Sequence, residues 1–248
     1  MANAMIDLHC HLLPGIDDGA KTMIDALEMA RVAVGDGIEY ALMTPHLHPG
    51  RYANTKSSTV EALEEFRAAL QQERIALEIG IAAEVRLAVE ILPLLDRDEV
   101  PFLGELDGYR IMLLEFPHSH IPHGADKFVR KLLDEKIRPM IAHPERNKDV
   151  IRNLEKIKPF VEMGCLLQLT ASAVAGKFGA NPHLRATQLL ELGVVHVLAT
   201  DAHNLTGRRP ELREGMEAAA RIVGDKAAEA MVSGTPRSLL GLGHATGA

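Results

Sequence analysis

Residues 5–19 read MIDLHCHLLPGIDDG, and residues 194–204 read VVHVLATDAHN. Each begins as a short apolar run and ends on two metal-type side chains one residue apart: His9 and His11 in the first, Asp201 and His203 in the second. Alternation along an extended chain puts such a pair on one face, close enough to hold one ion. The same device near both ends of the chain suits first and last strands that are neighbours, as they are in a closed barrel. Between them lie further short apolar runs at 39–43, 76–83, 110–115, 138–142 and 165–169, so seven strands are expected with 5–9 and 194–200. Amphipathic stretches of helical length separate them, at 22–34, 59–73, 125–135, 149–163, 183–192 and 211–223. Gly37, Gly164 and Gly193 stand where a helix stops in the left-handed conformation before the next strand.

Strands alternating with helices give an α/β fold with a parallel sheet, and a closed or nearly closed barrel explains one unit of this length. The chain has 248 residues and shows no composition shift or linker, so residues 1–248 are read as a single domain. Met5 is a candidate natural start, with residues 1–4 an extension or a cloning remnant. Hydrophobic types make up 47% and charged types 25%, which excludes a disordered chain. The formal charge of −7 disfavours nucleic-acid binding, which needs phosphate-neutralising Lys and Arg. Two distant cysteines, Cys10 and Cys165, argue against a disulfide framework. The N-terminus shows no hydrophobic signal segment and no run of apolar residues is long enough to span a membrane, so a cytoplasmic enzyme is expected.

The strand ends carry the chemistry. His9 and His11 end the first strand, His46 follows the second, Glu84 the third, Glu115 the fourth and His143 the fifth, while Asp201 and His203 follow the seventh. Six of seven strands therefore deliver a metal-type side chain to the barrel face on which active sites assemble. In this company one of Asp17 and Asp18, with Asp18 preferred, becomes a ligand candidate beyond its ordinary role in a turn. Imidazoles and carboxylates without thiolates suit manganese, iron, zinc or magnesium. The ligands outnumber one ion's needs, so a cluster of two to three divalent ions is expected. Such clusters activate bound water, and hydrolysis of a phosphate ester by direct attack of a metal-bound hydroxide on phosphorus is the expected reaction. Arg146 and Arg208, close after His143 and His203, are candidate phosphate ligands, with Arg51 and Arg209 weaker ones. Asp201 or His48 is a candidate proton donor to the leaving group.

A cysteine-phosphatase reading fails on spacing. That chemistry needs an arginine six residues after the cysteine, where this chain has Ile16 and Ala171. Cys10 alternates away from His9 and His11 and is expected to be a buried filler. His196 is read as a satisfied core histidine, His183 and His244 as surface, and His118, His120 and His123 as a solvated loop.

The blocks MIDLHCHLLPGIDDGAKT (5–22), TPHLHPGRY (44–52), LLEFP (113–117), IAHPERN (141–147), LQLTASAVAGKFG (167–179) and ATDAHN (199–204) resemble the polymerase-and-histidinol-phosphatase (PHP) superfamily. Within it they resemble the bacterial metal-dependent protein-tyrosine phosphatases of capsule and exopolysaccharide operons. The resemblance implies a distorted (β/α)7 TIM-like barrel and a trinuclear site, usually manganese-dependent. It implies one site of His9, His11, Asp201 and a bridging glutamate, a second of Glu84, Glu115 and His143, and a third of Asp18, His46 and His203. Arg146 and Arg208 match the family's phosphate-binding arginines. The implied substrate is the phosphotyrosine-bearing cytoplasmic tail of a bacterial tyrosine kinase. Competing expectations are a small-molecule phosphatase of the histidinol-phosphatase type and a non-catalytic PHP binding module.

Overall fold

The apolar run at the start of the chain forms β1 (Met5–Cys10). Thr22 and Asp25 then cap the helix Met23–Asp36 reciprocally, and Gly37, at φ 100°, turns the chain into β2 (Ile38–Met43). The computed structural model describes residues 4–242, so His244 and residues 1–3 lie outside the described residues. The remaining strands are β3 (His46–His48), β4 (Tyr52–Ala53), β5 (Glu78–Ile81), β6 (Glu84–Arg86), β7 (Gly104–Leu106), β8 (Tyr109–Glu115), β9 (Ile137–Ala142), β10 (Leu166–Thr170) and β11 (Val197–Ala199).

These strands build seven staves. β2 runs on into β3, and β5 into β6. The two composite staves stay paired across their breaks through Ala82 N to Met43 O (2.8 Å) and Glu84 N to Pro45 O (3.2 Å). Parallel pairing then continues from β6 through β8, β9 and β10 to β11. The ring closes where β11 meets β1: Asp201 N donates to His9 O (2.7 Å), His11 N donates to Ala202 O (2.9 Å), and Cys10 bridges Ala202. The fold is a distorted (β/α)7 barrel. β4 and β7 are antiparallel additions to its rim and base.

An inner cluster that includes Ile6, Leu8, Leu42, Ile111, Leu113, Met140, Leu166 and Val197 fills the barrel, while a larger cluster lies between the staves and the helices. Strand β1 changes phase on its way up. Ile6 and Leu8 join the inner cluster, but Cys10 packs in the outer one, and the pairing with β2 slips between Asp7 and Cys10. That slip is what turns His9 and His11 toward the barrel mouth.

Two expectations are corrected. The strand expected at 76–83 breaks at Ala82-Ala83 and resumes at Glu84, beside Pro45 of the neighbouring stave, which has no N–H to donate. The helix expected at 149–163 divides into Lys148–Arg152 and Lys158–Glu162, because Asn153 is extended (φ −148°) and Pro159 opens the second piece. Beyond the elements expected from the sequence, the chain is also helical from Asp225 to Leu239, and Leu239 packs in the inner cluster with Leu103 to close the barrel floor.

Candidate metal centre

Three sets of ligand-type atoms lie mutually within 4.8 Å: His9, His11, Glu84 and Asp201; His11, Asp18, His46 and His203; and His46, Glu84 and Glu115. Glu84, which opens β6, is their hub. Its Oε2 is 3.4 Å from Nε2 of both His9 and His11 and 2.9 Å from Nδ1 of His46, while its Oε1 is 2.7 Å from Nε2 of His143. Asp18 places Oδ1 3.1 Å from Nε2 of His46 and 3.5 Å from Nε2 of His203. Glu115, at the end of β8, takes Arg86 at 2.8 Å on one oxygen and faces His118 at 3.5 Å with the other. Among the described residues, all nine side chains singled out as ligands thus meet at the end of the barrel where the strands finish. His143 meets Glu84 directly and lies outside the three sets.

The donor set fits divalent cations. His9 Nδ1 faces Gln168 Oε1 at 2.9 Å, and His11 Nδ1 faces Asp17 Oδ2 at 2.7 Å. Each acceptor holds the ring proton on Nδ1, so neutral rings present two Nε2 lone pairs only 3.2 Å apart, aimed at Glu84 and Asp201. Four acceptor-type atoms crowded together need a cation between them. His46 Nδ1, Glu84 Oε2, Asp201 Oδ1 and His203 Nε2 are all buried with no hydrogen-bond partner, although His46 and Glu84 approach to 2.9 Å. Close approach without hydrogen-bond alignment is the signature of atoms aimed at a shared ion and not at each other.

The titration behaviour agrees. Burial works against a charge on His9, His11 and His46, yet Glu84, Asp201, Asp17 and Asp18 outweigh it and raise all three, His46 to about 10. Metal ions would take the place of those protons. Burial and the charge of His11 push His203 down to about 4, and burial with Arg146 lowers His143, so both stay neutral as ligation requires. Burial opposes the charge of Asp201, but Arg208, His9 and Arg146 hold its carboxyl well below the usual carboxylate range.

Asp201 joins the cluster to a cationic clamp. Its Oδ1 lies 3.3 Å from His9 and 3.4 Å from His11, while its Oδ2 accepts from both Arg146 Nη1 and Arg208 Nη2. Arg146 reaches His118 with its other terminal nitrogen at 3.1 Å and lies over the ring of Phe178. Arg208 is carried by a loop wound on Asn204, whose Oδ1 accepts from the backbone of Thr206, Gly207 and Arg208. Arg209 turns away to Glu211, and Arg51 lies over Tyr52 in the β3–β4 hairpin.

The family model for capsular polysaccharide synthesis, CpsB/CapC, matches residues 5–241. The chain belongs to this family. The tyrosine-protein phosphatase YwqE of Bacillus subtilis is 35% identical over 212 residues, covering 86% of this chain and 82% of that protein. The tyrosine-protein phosphatase CpsB of Streptococcus pneumoniae is 27% identical over 241 residues, covering 95% and 98%. A crystal structure from work on YwqE and CpsB, described as metal-dependent tyrosine phosphatases, superposes with a TM-score of 0.88 at 33% identity, covering 96% of this chain and 95% of that one. A phosphotriesterase homology protein of Escherichia coli, at a TM-score of 0.54 and 11% identity, shares the fold alone.

In this CpsB/CapC chain several functional neighbours escaped the sequence. Gln168 sits behind His9 and Arg86 behind Glu115, both ordinary residues until the barrel closes, while Asp17, weighed with Asp18 as a ligand candidate, sits behind His11 instead. His118, read as solvated loop, engages both Glu115 and Arg146 from the rim. His143 (φ 33°) and Asp201 (φ 49°) adopt left-handed backbone at the tops of β9 and β11. Such conformations cost about 1–3 kcal/mol each and persist where surrounding structure enforces them, often at functional sites.

Proposed function

We propose that this CpsB/CapC-family chain is a metal-dependent protein-tyrosine phosphatase that hydrolyses the phosphomonoester of phosphotyrosine in a protein. The observation that carries this is the two-sided use of Asp201, one oxygen toward the histidine cluster and the other toward Arg146 and Arg208. Two to three divalent ions, manganese first, would be held by His9, His11 and Asp201 with Glu84 shared; by Asp18, His46 and His203; and by Glu84, Glu115 and His143. Bound there, they supply activation of water and neutralisation of phosphoryl charge.

The chain's own residues do the rest. Each guanidinium has five N–H donors, so Arg146 and Arg208 can grip a phosphate dianion while keeping their bonds to Asp201. Asp201, held ionised by those arginines, fixes their position and is a poor proton donor. Tyrosinate leaves readily enough to need little protonation, since its conjugate acid ionises near pH ~10. Cys10 is fully buried with its thiol toward Leu42 O at 3.5 Å, so it offers no nucleophile.

The protein substrate is a tyrosine kinase tail in the bacterial cytoplasm, the setting that fits a family described by capsular polysaccharide synthesis. No helix among the described residues is long and apolar enough to cross a membrane. The test is to strip the protein with chelator, reload manganese, iron, zinc or magnesium separately, and assay a phosphotyrosine peptide against histidinol phosphate. Metal-dependent turnover that favours the peptide is expected. Turnover indifferent to metal, or faster on histidinol phosphate, overturns the proposal.

A further inference from the structure

Five of the six phenylalanines, Phe66, Phe102, Phe116, Phe128 and Phe160, pack into the core around the barrel, and Phe178 does not. Phe178 is partly exposed in the turn that follows the short helix Ala171–Val174 after β10, between Gly176 (φ 81°) and Gly179 (φ 91°), both at positive φ. The loop is firmly set. Gly176 N donates to Ala173 O (3.0 Å), Lys177 N donates to Ser172 O (2.8 Å), and the Lys177 ammonium meets Glu214 at 2.6 Å. A large apolar ring set at a partly exposed position, outside the core clusters, leaves room for a role other than packing.

Its neighbour supplies one. The Arg146 guanidinium carbon lies 5.3 Å from the centre of the Phe178 ring, so this ring stands beside the arginine assigned to the phosphate. A phenyl phosphate carries its ring one oxygen away from phosphorus, whereas a serine or threonine phosphate carries a slim aliphatic carbon there. A rim aromatic next to the phosphate clamp can contact the first by stacking or edge-to-face packing and gains little from the second. The other aromatic of the rim, Tyr52, is already stacked on His46 at 5.5 Å and 9°.

We infer that Phe178 is a specificity-determining residue that contacts the phenol ring of the substrate and so favours aryl over alkyl phosphates. The inference rests on the phosphatase reading of the site. A mere support for Arg146 would act on every phosphate alike, since the phosphate group is common to all; a ring contact acts on aryl compounds only.

The test measures competitive inhibition of the manganese-loaded enzyme, with p-nitrophenyl phosphate as substrate, by phenylphosphonate, ethylphosphonate and inorganic phosphate. In Phe178→Leu, phenylphosphonate should weaken by about 2- to 10-fold while the other two stay within about twofold. Phe178→Tyr, which keeps the ring, should restore phenylphosphonate binding. Equal weakening of all three, or undiminished phenylphosphonate binding in Phe178→Leu, overturns the inference and leaves the phosphatase reading standing. A wild-type enzyme that hydrolyses no aryl phosphate with any of the four metals overturns the phosphatase reading itself, and this inference with it.

Discussion

Asp17 Oδ2 lies 2.7 Å from Nδ1 of His11, on the side of the ring away from the Nε2 that faces Glu84 and Asp201. The same carboxylate accepts from the backbone N–H of Gly19 (2.8 Å) and His46 (3.0 Å), so it fixes both the tautomer of one candidate ligand and the backbone of another. Asp18, next in sequence, turns the other way, toward His46 and His203. The two aspartates therefore predict different losses. Asp17→Asn should weaken metal affinity about 10- to 100-fold while leaving the sites fillable. Asp18→Ala should empty a site at metal concentrations that saturate the wild type. Chelator competition followed by elemental analysis reads both, and wild-type affinity in Asp17→Asn would refute the orienting role.

Arg146 and Arg208 share one oxygen of Asp201, which makes their contributions interdependent. Replacing either by Ala should lower kcat/KM on p-nitrophenyl phosphate by about 30- to 1,000-fold, the range for removing one charge-assisted contact to a developing anion. Metal content should remain, because neither guanidinium lies among the candidate ligands. The double variant should lose less than the product of the single losses, because each arginine also holds the other's anchor. Near wild-type efficiency in both single variants, with metal retained, would move the phosphate elsewhere and make Arg51 the next suspect.

The parts of the barrel legible in the sequence were those written in short-range pattern. The apolar runs of β1 and β9 and the strand-end positions of His9, His11, Asp201 and His203 follow from periodicity alone. Glu84 looked like the end of one strand because the break before it arises from Pro45 on the adjacent stave, a cause remote in sequence. Asp17 and Asp18 could not be separated, since their divergence depends on a turn with the left-handed Gly15 and a glycine at 19 whose Cβ would collide with His11. The hairpin turn Asp107-Gly108, with φ 52° and 75°, carries a local signal of its own in the Asp-Gly pair. Phe178 and Gln168 read as members of an apolar block until their tertiary neighbours, Arg146 and His9, are known.

Both thiols are shut away from chemistry. Burial, reinforced by the charge of Asp7, pushes the Cys10 thiol far up, and burial pushes Cys165 up to about 12. Neither forms thiolate at neutral pH, and both are free and buried. In the native, metal-loaded enzyme at pH 8, iodoacetamide should leave both unmodified until denaturant is added. Cys10→Ser should keep most of the activity. Rapid alkylation of Cys10 that abolishes turnover would revive a cysteine mechanism.

Asp7 gives a pH dependence with a definite sign. It is fully buried in β1, where its carboxylate accepts from Thr200 N (3.0 Å) and Thr200 Oγ1 across the seam that closes the barrel, and from His9 N (3.3 Å) on its own strand. Burial raises it from 3.8 to about 6 despite those bonds. The folded state therefore binds the Asp7 proton more tightly than the unfolded chain does. The associated stability is fully present below pH ~4 and is lost as pH rises through ~6, a swing of about 3 kcal/mol for a shift of this size. Asn at this position does not titrate, so subtracting Asp7→Asn from wild type isolates the effect from the depressed carboxylates around the cluster. Urea unfolding of metal-free protein between pH 4 and pH 7.5 should show wild type losing ground to Asp7→Asn as pH climbs. A difference that is flat across this range, or that grows in favour of wild type, would mean that the Thr200 bonds prevail over desolvation and that the seam is held by an ordinary ionised aspartate.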